Sequence, residues 1–192
     1  MQTQILKFKI VIIGEHAVGK TSFIKKFVEG RFTKDYRPTI GTNLFIKRIK
    51  FEASHQKYES TLTLYDIAGQ EKWQSMRFPY YQGAQAVIIM GDLTRKHTFD
   101  QIKKFWIKDV RKYLDDSVPI LLLANKEDIR KEKTITTNYL EKLTEDINAC
   151  KYMITSAKTG KNVTKSFKEI ISAIVGDEII VPRKNLVGLK VA

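Results

Sequence analysis

The sequence predicts a three-layer α/β fold: a mostly parallel six-stranded sheet with helices on both faces and one antiparallel edge strand. Apolar, β-branched runs alternate with segments whose apolar residues have helical spacing, a pattern typical of parallel strands joined by helical crossovers. Two neighbouring runs within 41–66 form a hairpin pattern and supply the antiparallel edge. A glycine-rich loop at 14–21 separates the first apolar run from the first helical segment.

Composition indicates one folded domain. The chain has 192 residues, 43% hydrophobic and 29% charged, which is enough for a sizeable core and excludes a disordered chain. We expect neither a membrane span nor a signal peptide, because no apolar run has the required length. Cys150 is the only cysteine, so an internal disulfide is impossible and a reducing, cytoplasmic location is expected. We expect the domain at 1–176 and a tail at 177–192.

The formal net charge of +13 favours an anionic partner such as nucleic acid, lipid headgroups or an acidic protein. The alternative is a lysine-rich composition spread over solvated faces. The lysines are not gathered into one block, so we favour the alternative. We therefore expect no specific nucleic-acid binding and at most a weak attraction to membrane surfaces.

The elements follow in order along the chain. Strands are predicted at 5–13, 41–51, 57–66, 86–90, 119–124 and 151–155. Helices are predicted from 22 to about 30, at 99–113, at 137–148 and from 163 to 174, with a short helix inside the loop 67–79. The spacing in 99–113 leaves open whether Phe105 or Trp106 faces the core. Asn162 is expected to cap the last helix.

The loop at 14–21 follows the pattern Gly, four residues, Gly-Lys-Ser/Thr, between a strand and a helix. Its glycines let backbone N–H groups turn toward phosphate oxygens, and the helix N-terminus adds partial positive charge. We expect Lys20 to bridge the outer phosphates and the Thr21 hydroxyl to ligate Mg²⁺. A plain glycine turn with a surface lysine is the alternative, and it does not explain the adjacent Lys20 and Thr21. The predicted phosphate-site residues are Gly14, Glu15, His16, Ala17, Val18, Gly19, Lys20, Thr21 and Ser22.

Two other segments suggest a metal and a terminal phosphate. Asp66 ends a predicted strand and can hold a Mg²⁺-bound water, Gly69 can offer its N–H to phosphate, and Gln70 can orient an attacking water. A polar turn is the alternative interpretation. Thr39 can give its hydroxyl to Mg²⁺ and its N–H to the terminal phosphate, although an ordinary threonine at a strand start would look the same.

Residues 125–128 read Asn-Lys-Glu-Asp and directly follow a buried strand. The Asp128 carboxylate can accept from N1 and the 2-amino group of guanine, which adenine lacks, so it would discriminate strongly between the bases. The alkyl stem of Lys126 can lie along the base, and the Ala157 N–H can read the guanine O6. Phe32 either stacks on the base or packs into the core.

Together these motifs resemble those of a Ras-superfamily small GTPase, and most closely the Rab family. They occupy 14–21, 38–41, 66–71, 125–128 and 156–158, in the family's order. Residues 31–41 and 66–82 are similar to the two Rab switch regions, here called the first and second switch segments. The resemblance implies the P-loop NTPase fold and a GTP/GDP-dependent molecular switch that hydrolyses GTP slowly, in intracellular trafficking or signalling.

The resemblance also assigns roles. It implies a catalytic set of Gln70, Lys20 and Thr39, with Thr21 and Thr39 on Mg²⁺ and Asp66 acting through a water. It implies that the nucleotide, GTP or GDP, lies beside Phe32, Tyr36 and Gly69 and that its base contacts Asn125, Lys126, Asp128, Ser156, Ala157 and Lys158. Effectors, exchange factors and GTPase-activating proteins are the expected partners of the switch segments. No arginine is placed to act in cis, so intrinsic turnover should be slow.

Some features depart from the Rab pattern. His16 stands where relatives often have glycine, which suggests slow hydrolysis if its ring crowds an incoming arginine; a side chain turned to solvent is the alternative. No cysteine follows Cys150 and residue 2 is Gln2, so no lipidation signal is predicted in this chain. The rival functions are a non-hydrolysing guanine-nucleotide scaffold, a nucleic-acid or membrane-surface module, and an ATPase of the wider P-loop class.

Overall fold

The computed structural model describes residues 3–33, 38–69, 77–129, 135–176 and 179. Within these residues, six strands form one sheet in the order β2-β3-β1-β4-β5-β6. Only β2 runs antiparallel to its neighbour, and the other pairs are parallel. The strands are β1 (Gln4–Ile13), β2 (Thr42–Ala53), β3 (Gln56–Ile67), β4 (Ala86–Asp92), β5 (Ile120–Asn125) and β6 (Lys151–Ile154). The predicted sheet is therefore confirmed.

The helices of the described chain alternate with these strands as predicted. They are α1 (Lys20–Glu29), α2 (Phe78–Tyr81), α3 (His97–Gln101), α4 (Ile107–Arg111), α5 (Thr137–Asp146) and α6 (Val163–Val175). A π-helical turn, Ile102–Trp106, joins α3 to α4, and a short 3₁₀ turn, Glu127–Ile129, follows β5. No helix of the described residues is both long and apolar enough to cross a bilayer.

The hairpin of β2 and β3 is longer than its sequence pattern indicates. Its pairing runs from Thr42 opposite Ile67 to Ala53 opposite Gln56. Ser54 and His55 close it with φ angles of 46° and 63°. Two successive positive φ angles match the right-handed twist of the strands, which allows so tight a turn.

Both faces of the sheet are buried, because alternate residues of β1 enter different cores. Ile10 and Ile12 pack in the layer that holds α1 and α6, where the rings of Phe27 and Phe167 stack 3.7 Å apart. Val11 and Ile13 pack in the opposite layer, around Trp106. The central strands β4 and β5 are buried along their whole length. Burial on both faces explains their continuous apolar sequence.

The π-helical turn decides which aromatic residue of 99–113 faces the core. The N–H of Ile107 bonds to the carbonyl of Ile102, five residues earlier, which shifts the helical phase by one position. Trp106 becomes fully buried, whereas Phe105 stays half-buried with its ring edge against the indole. Spacing of 3.6 residues could not decide between the two.

One predicted detail holds in position only. Asn162 stands at the N-cap of α6, as predicted, but it has a left-handed φ of 57° and its side chain makes no capping bond. Its Nδ2 instead donates to the Ile154 carbonyl over 2.8 Å, which ties α6 to β6. Residues 177, 178 and 180–192 of the predicted tail lie outside the described residues. Ile179 is described and buried in the core, so the domain boundary at 176 stays a prediction.

Candidate functional site

A cavity of about 650 Å³ opens at the carboxyl edge of the sheet, beside the N-terminus of α1. Parallel α/β sheets bind their ligands at this edge. Most of the predicted site residues line it: His16, Ala17, Gly19, Lys20, Thr21, Ser22, Phe32, Thr39, Gly69, Asn125, Lys126, Asp128, Ala157 and Lys158. Gln70 and Tyr36 lie outside the described residues.

The glycines of the phosphate loop, 14–21, are required by close backbone approaches. Gly14 has φ 131°, and a Cβ there would lie 2.2 Å from the Met90 carbonyl oxygen. Gly19 has φ 102°, and its Cβ would lie 2.5 Å from the side-chain nitrogen of Asn125. The loop is therefore pressed between β4 and the end of β5, in a conformation that a side chain would block.

Lys20 begins α1 and turns its side chain back under the loop. Its Nζ donates to the carbonyls of Gly14 and Glu15 over 2.7 and 2.8 Å, and the residue is only 6% exposed. Burial lowers the pKa of Lys20 to about 8, although the charges of Asp66 and Glu15 act in the opposite direction. An added anion in the cavity would raise this pKa, so the site favours a negatively charged ligand.

Three oxygen-bearing side chains meet beside Lys20. The Thr21 hydroxyl donates to Asp66 Oδ2 over 2.6 Å, and the hydroxyls of Thr21 and Thr39 are 3.0 Å apart. Asp66 is buried, and no hydrogen bond from the described residues reaches its Oδ1. Burial raises the pKa of Asp66, against the hydrogen bond from Thr21 and the charge of Lys20. Hard oxygen donors and an unsatisfied carboxylate oxygen fit Mg²⁺.

Gly69 lies directly on the phosphate loop. A Cβ at this position would be 2.5 Å from both the Gly14 carbonyl oxygen and the His16 nitrogen. Only glycine fits so close to another backbone. The end of β3 therefore brings the start of the second switch segment onto the loop that lines the cavity.

Asn125 is the structural link between the phosphate loop and the strand ends. Its Nδ2 donates to the Val18 carbonyl over 2.9 Å, and its Oδ1 accepts from the Thr155 hydroxyl and the Ala157 N–H, each over 3.1 Å. To read guanine O6 as predicted, the Ala157 N–H would have to donate to the base as well as to Asn125 Oδ1.

Asp128 faces the cavity with a nearly buried carboxylate. The Ser156 hydroxyl donates to its Oδ1 over 2.6 Å, and the Lys158 ammonium lies 3.7 Å from its Oδ2. Ser156 is itself buried and does not line the cavity. The carboxylate is thus fixed in orientation while Oδ2 keeps accepting capacity for a ligand.

Two predicted residues contribute differently from expectation. Glu15 turns its carboxylate away from the cavity toward the Trp106 indole, so it serves the loop through its backbone. Val18 is fully buried in the core. Phe32 lines the cavity and also packs against the core, and its stacking on a base stays a prediction.

Sequence reasoning missed Arg95 and the role of Asp92. Arg95 Nη2 donates to the His16 carbonyl over 2.8 Å, and Arg95 Nε and Lys126 Nζ both donate to Asp92 Oδ2. The only signal in the sequence was the segment Asp92-Leu93-Thr94 at a strand end. Nothing in the spacing shows that its neighbour Arg95 reaches a loop 79 positions earlier.

Comparison with known proteins agrees with this geometry. The model of the Ras family matches residues 9–176. The chain is 34% identical over 167 residues to the Ras-related protein Rab-1 of Theileria parva, covering 87% of this chain and 74% of that protein. It is 32% identical to human Ras-related protein Rab-12, covering 88% and 67%, and 31% identical to Ras-related protein RabC of Dictyostelium discoideum, covering 91% and 86%.

The sheet order and the loop between β1 and α1 define a P-loop nucleotide-binding α/β fold, as predicted. The chain belongs to the Ras family and is Rab-like within it. It is a small GTPase that binds guanine nucleotide, hydrolyses GTP and acts as a switch, which confirms the predicted function. The family match does not favour the rival scaffold, nucleic-acid or ATPase functions.

Proposed function

We propose that a magnesium–guanine nucleotide complex binds in the 650 Å³ cavity and controls the two switch segments. The observation that carries this proposal is the meeting of Thr21, Thr39 and Asp66 within 3.0 Å contacts, beside the buried ammonium of Lys20. The phosphates then lie over the loop 14–21 and the N-terminus of α1. Mg²⁺ would supply charge neutralisation between the outer phosphates.

The metal would be held by the hydroxyls of Thr21 and Thr39, with Asp66 binding one of its waters. Thr39 precedes β2 in the first switch segment, whereas Thr21 belongs to the rigid start of α1. A ligand that engages both hydroxyls therefore ties a loop to a helix. The Lys20 ammonium has three N–H donors and uses two of them on the Gly14 and Glu15 carbonyls, so one remains for a phosphate oxygen, which also supplies a compensating charge.

The base would be read by the segment 125–128 and by residues 156–158. Asp128 would accept from the two adjacent donors of guanine, and its bond from Ser156 fixes the orientation of the carboxylate. Adenine offers no such donor pair, so the remaining accepting capacity of the desolvated carboxylate would stay unused. Lys126 and Phe32 flank the base.

For hydrolysis, Gln70 would orient water for in-line attack on the γ-phosphorus, while Lys20 balances the charge of the transition state. The backbone N–H groups of Thr39 and Gly69 would hold the γ-phosphate. Loss of that phosphate removes an anchor from each switch segment, so both segments relax. The described residues offer no arginine side chain that lines the cavity, which supports slow intrinsic turnover.

Partners would read the switch segments at 31–41 and 66–82: effectors in the GTP state, exchange factors and GTPase-activating proteins at the transitions. By analogy with its Rab-named relatives, the protein would act in intracellular trafficking from a cytoplasmic pool. Its net charge of +13 would add a weak, salt-sensitive attraction to anionic membranes.

The bound nucleotide tests the proposal directly. Purified protein is denatured, and the released nucleotide is identified by chromatography; guanine nucleotide at near-equimolar amount is expected, and adenine nucleotide or none would overturn the proposal. Asp128→Asn should then exchange guanine for xanthine preference, because the amide can donate where the carboxylate accepted. Unchanged GDP affinity in this variant would reject the role of Asp128.

His16 supplies a narrower hypothesis. Its side chain is 55% exposed, with Nδ1 3.5 Å from the Glu15 carboxylate, and it borders the cavity. This exposure supports the solvent-facing alternative as well as a ring that crowds an activator's arginine. Single-turnover GTP hydrolysis by His16→Gly and by the parent, each with and without an activator, tests the two alternatives. If the variant and the parent hydrolyse GTP at equal rates under both conditions, the crowding hypothesis is rejected.

A further inference from the structure

The base-reading segment 125–128 and the phosphate loop are joined by two separate paths. The first is direct, from Asn125 Nδ2 to the Val18 carbonyl. The second passes through the turn after β4. Lys126 Nζ donates to Asp92 Oδ2 over 2.8 Å, and Arg95 continues from Asp92 to His16.

Arg95 connects Asp92 to His16 in this second path, because two different nitrogens of its guanidinium donate hydrogen bonds. Its Nε donates to Asp92 Oδ2 over 2.9 Å, and its Nη2 donates to the His16 carbonyl over 2.8 Å. The Asp92 side chain is fully buried and that of Arg95 is 25% exposed. A planar fork holds two acceptors in fixed geometry, which a lysine ammonium on a flexible stem does not.

The backbone of the turn holds Arg95 in place. Its N–H donates to the Asp92 carbonyl over 2.9 Å, and its carbonyl accepts from the Thr98 hydroxyl over 2.7 Å. The same hydroxyl oxygen accepts from the Asp92 N–H over 2.9 Å. Because these bonds already fix the turn, the guanidinium forms its own bonds at a small cost in conformational entropy.

The contact fixes the orientation of one peptide group in the phosphate loop. In a trans peptide the carbonyl and the following N–H point in opposite directions, and no described peptide bond is cis. Arg95 does not line the cavity, so its bond directs the His16 carbonyl away from it. The N–H of Ala17, which lines the cavity with φ 57°, therefore points into it.

We propose that Arg95 is a positioning residue that slows nucleotide release: it holds the Ala17 N–H toward the phosphates and ties that peptide, through Asp92 and Lys126, to the base-reading segment. The proposal rests on the proposed function, because it presumes a nucleotide in this cavity. Loss of the guanidinium frees the peptide to rotate, so one phosphate contact weakens. Base selectivity is unaffected, because Arg95 does not touch Asp128 or Ser156.

The test is the dissociation rate of N-methylanthraniloyl-GDP from the full chain, chased with excess GDP. Arg95→Ala should release it roughly tenfold faster, as expected when one charge-assisted hydrogen bond of the bound state is lost. Arg95→Lys keeps the charge but not the fork, so its rate should fall between the two. If Arg95→Ala does not fold, Arg95→Lys carries the test through the same comparison.

Two control variants separate positioning from charge and from stability. Lys96→Ala removes a positive charge from the same turn, but Lys96 is exposed and pairs only with Asp100 at 3.9 Å among the described residues. Arg111→Ala removes an arginine that also joins backbone carbonyls, those of Asp115 and Val118, to a carboxylate, that of Asp116, but does not line the cavity. Both should release GDP within about twofold of the parent rate.

The outcomes are distinct. Faster release confined to the Arg95 variants, with the parental preference for GDP over xanthosine diphosphate, supports the proposal. Parental release from Arg95→Ala, or equal acceleration by Lys96→Ala or Arg111→Ala, overturns it while leaving the proposed function intact. A parent chain that binds no guanine nucleotide overturns the proposed function itself, and the role of Arg95 with it.

Discussion

The indole N–H of Trp106 donates to the Glu15 carboxylate over 3.3 Å, which connects the π-helical turn after α3 to the phosphate loop. On its other side the indole packs under the Arg77 guanidinium, 4.2 Å from the ring centre. Arg77 is the first described residue of the second switch segment after 70–76, which lie outside the described residues. One buried ring therefore touches both the loop that lines the cavity and the start of α2.

Replacing this ring tests the connection. Trp106→Phe removes the donor to Glu15 and part of the buried volume, so the free energy of unfolding should fall by about 1–3 kcal/mol. The measurement is urea unfolding in saturating GDP. Glu15→Gln keeps an acceptor for the indole and should stay within about 0.5 kcal/mol of the parent. Unfolding of Trp106→Phe at the parental urea concentration would show that the contact contributes nothing.

Asp109 is the buried carboxylate of the same region. It lies 3.4 Å from Arg77 Nη1 and accepts from the Tyr81 hydroxyl over 2.9 Å, with both charged side chains at most 5% exposed. Burial, and then the charge of Asp109, raise the pKa of Tyr81, so the phenol stays protonated as the donor. Asp109→Ala should cost about 3–5 kcal/mol, because it removes one side of a buried ion pair.

Tyr81→Phe is the matched control, since it removes only the hydrogen bond and should cost about 1–2 kcal/mol. Thermal or urea unfolding of both variants measures the difference. Equal losses from the two variants would show that the charge of Asp109 adds nothing to its hydrogen bond.

The proposed metal site predicts a response to chelation. EDTA should accelerate GDP release from the parent, because removal of Mg²⁺ unties the phosphates from the Thr21 hydroxyl. Thr21→Ala should release GDP quickly in Mg²⁺ buffer, and EDTA should accelerate this release only slightly. Thr144→Ala loses a hydroxyl that donates to the Leu140 carbonyl within α5 and does not line the cavity, so it should behave like the parent. A chelator response in Thr21→Ala as large as the parent's would contradict the assignment of Thr21.

Asp92 should make stability depend on pH in the acidic range. Burial alone would raise the pKa of this carboxyl, but hydrogen bonds from Lys126, Thr94 and Arg95 outweigh it and hold the pKa below the ordinary 3.8. A lowered pKa in the folded state gives stability that is present above 3.8 and is lost as pH falls through the folded value. The stability difference between the parent and Asp92→Asn should therefore be constant near neutral pH and shrink below about pH 4.

Denaturant unfolding of both proteins at a series of pH values, in saturating GDP, measures this difference. A gap that stays constant down to about pH 3 would mean that Asp92 titrates alike in the folded and unfolded chains.

The sequence predicted what depends on local pattern. Strand runs, helical spacing and the glycine loop gave the sheet, its antiparallel edge and the edge where the cavity lies. The phosphate loop, Asp66 and 125–128 could be proposed as site residues because each motif is continuous in sequence and lies at the end of a strand. The order of motifs then allowed their convergence on one cavity to be expected.

What the sequence did not reveal depends on long-range contacts. Arg95 meets His16 across the fold, and Trp106 reaches Glu15 only because a π-helical turn shifts the helical phase. Asn162 looked like a helix cap, yet a left-handed backbone turns its amide toward Ile154. Such contacts are set by how elements pack, which residue spacing does not encode.

The central claim is that the terminal phosphate of bound GTP clamps both switch segments. Hydrogen exchange, followed by mass spectrometry on peptides covering 31–41 and 66–82, measures this most directly in the chain loaded with GDP or with a non-hydrolysable GTP analogue. We predict stronger protection of both segments in the triphosphate form and equal protection of β4 and β5 in the two forms. Identical protection of the switch segments with either nucleotide would contradict the account.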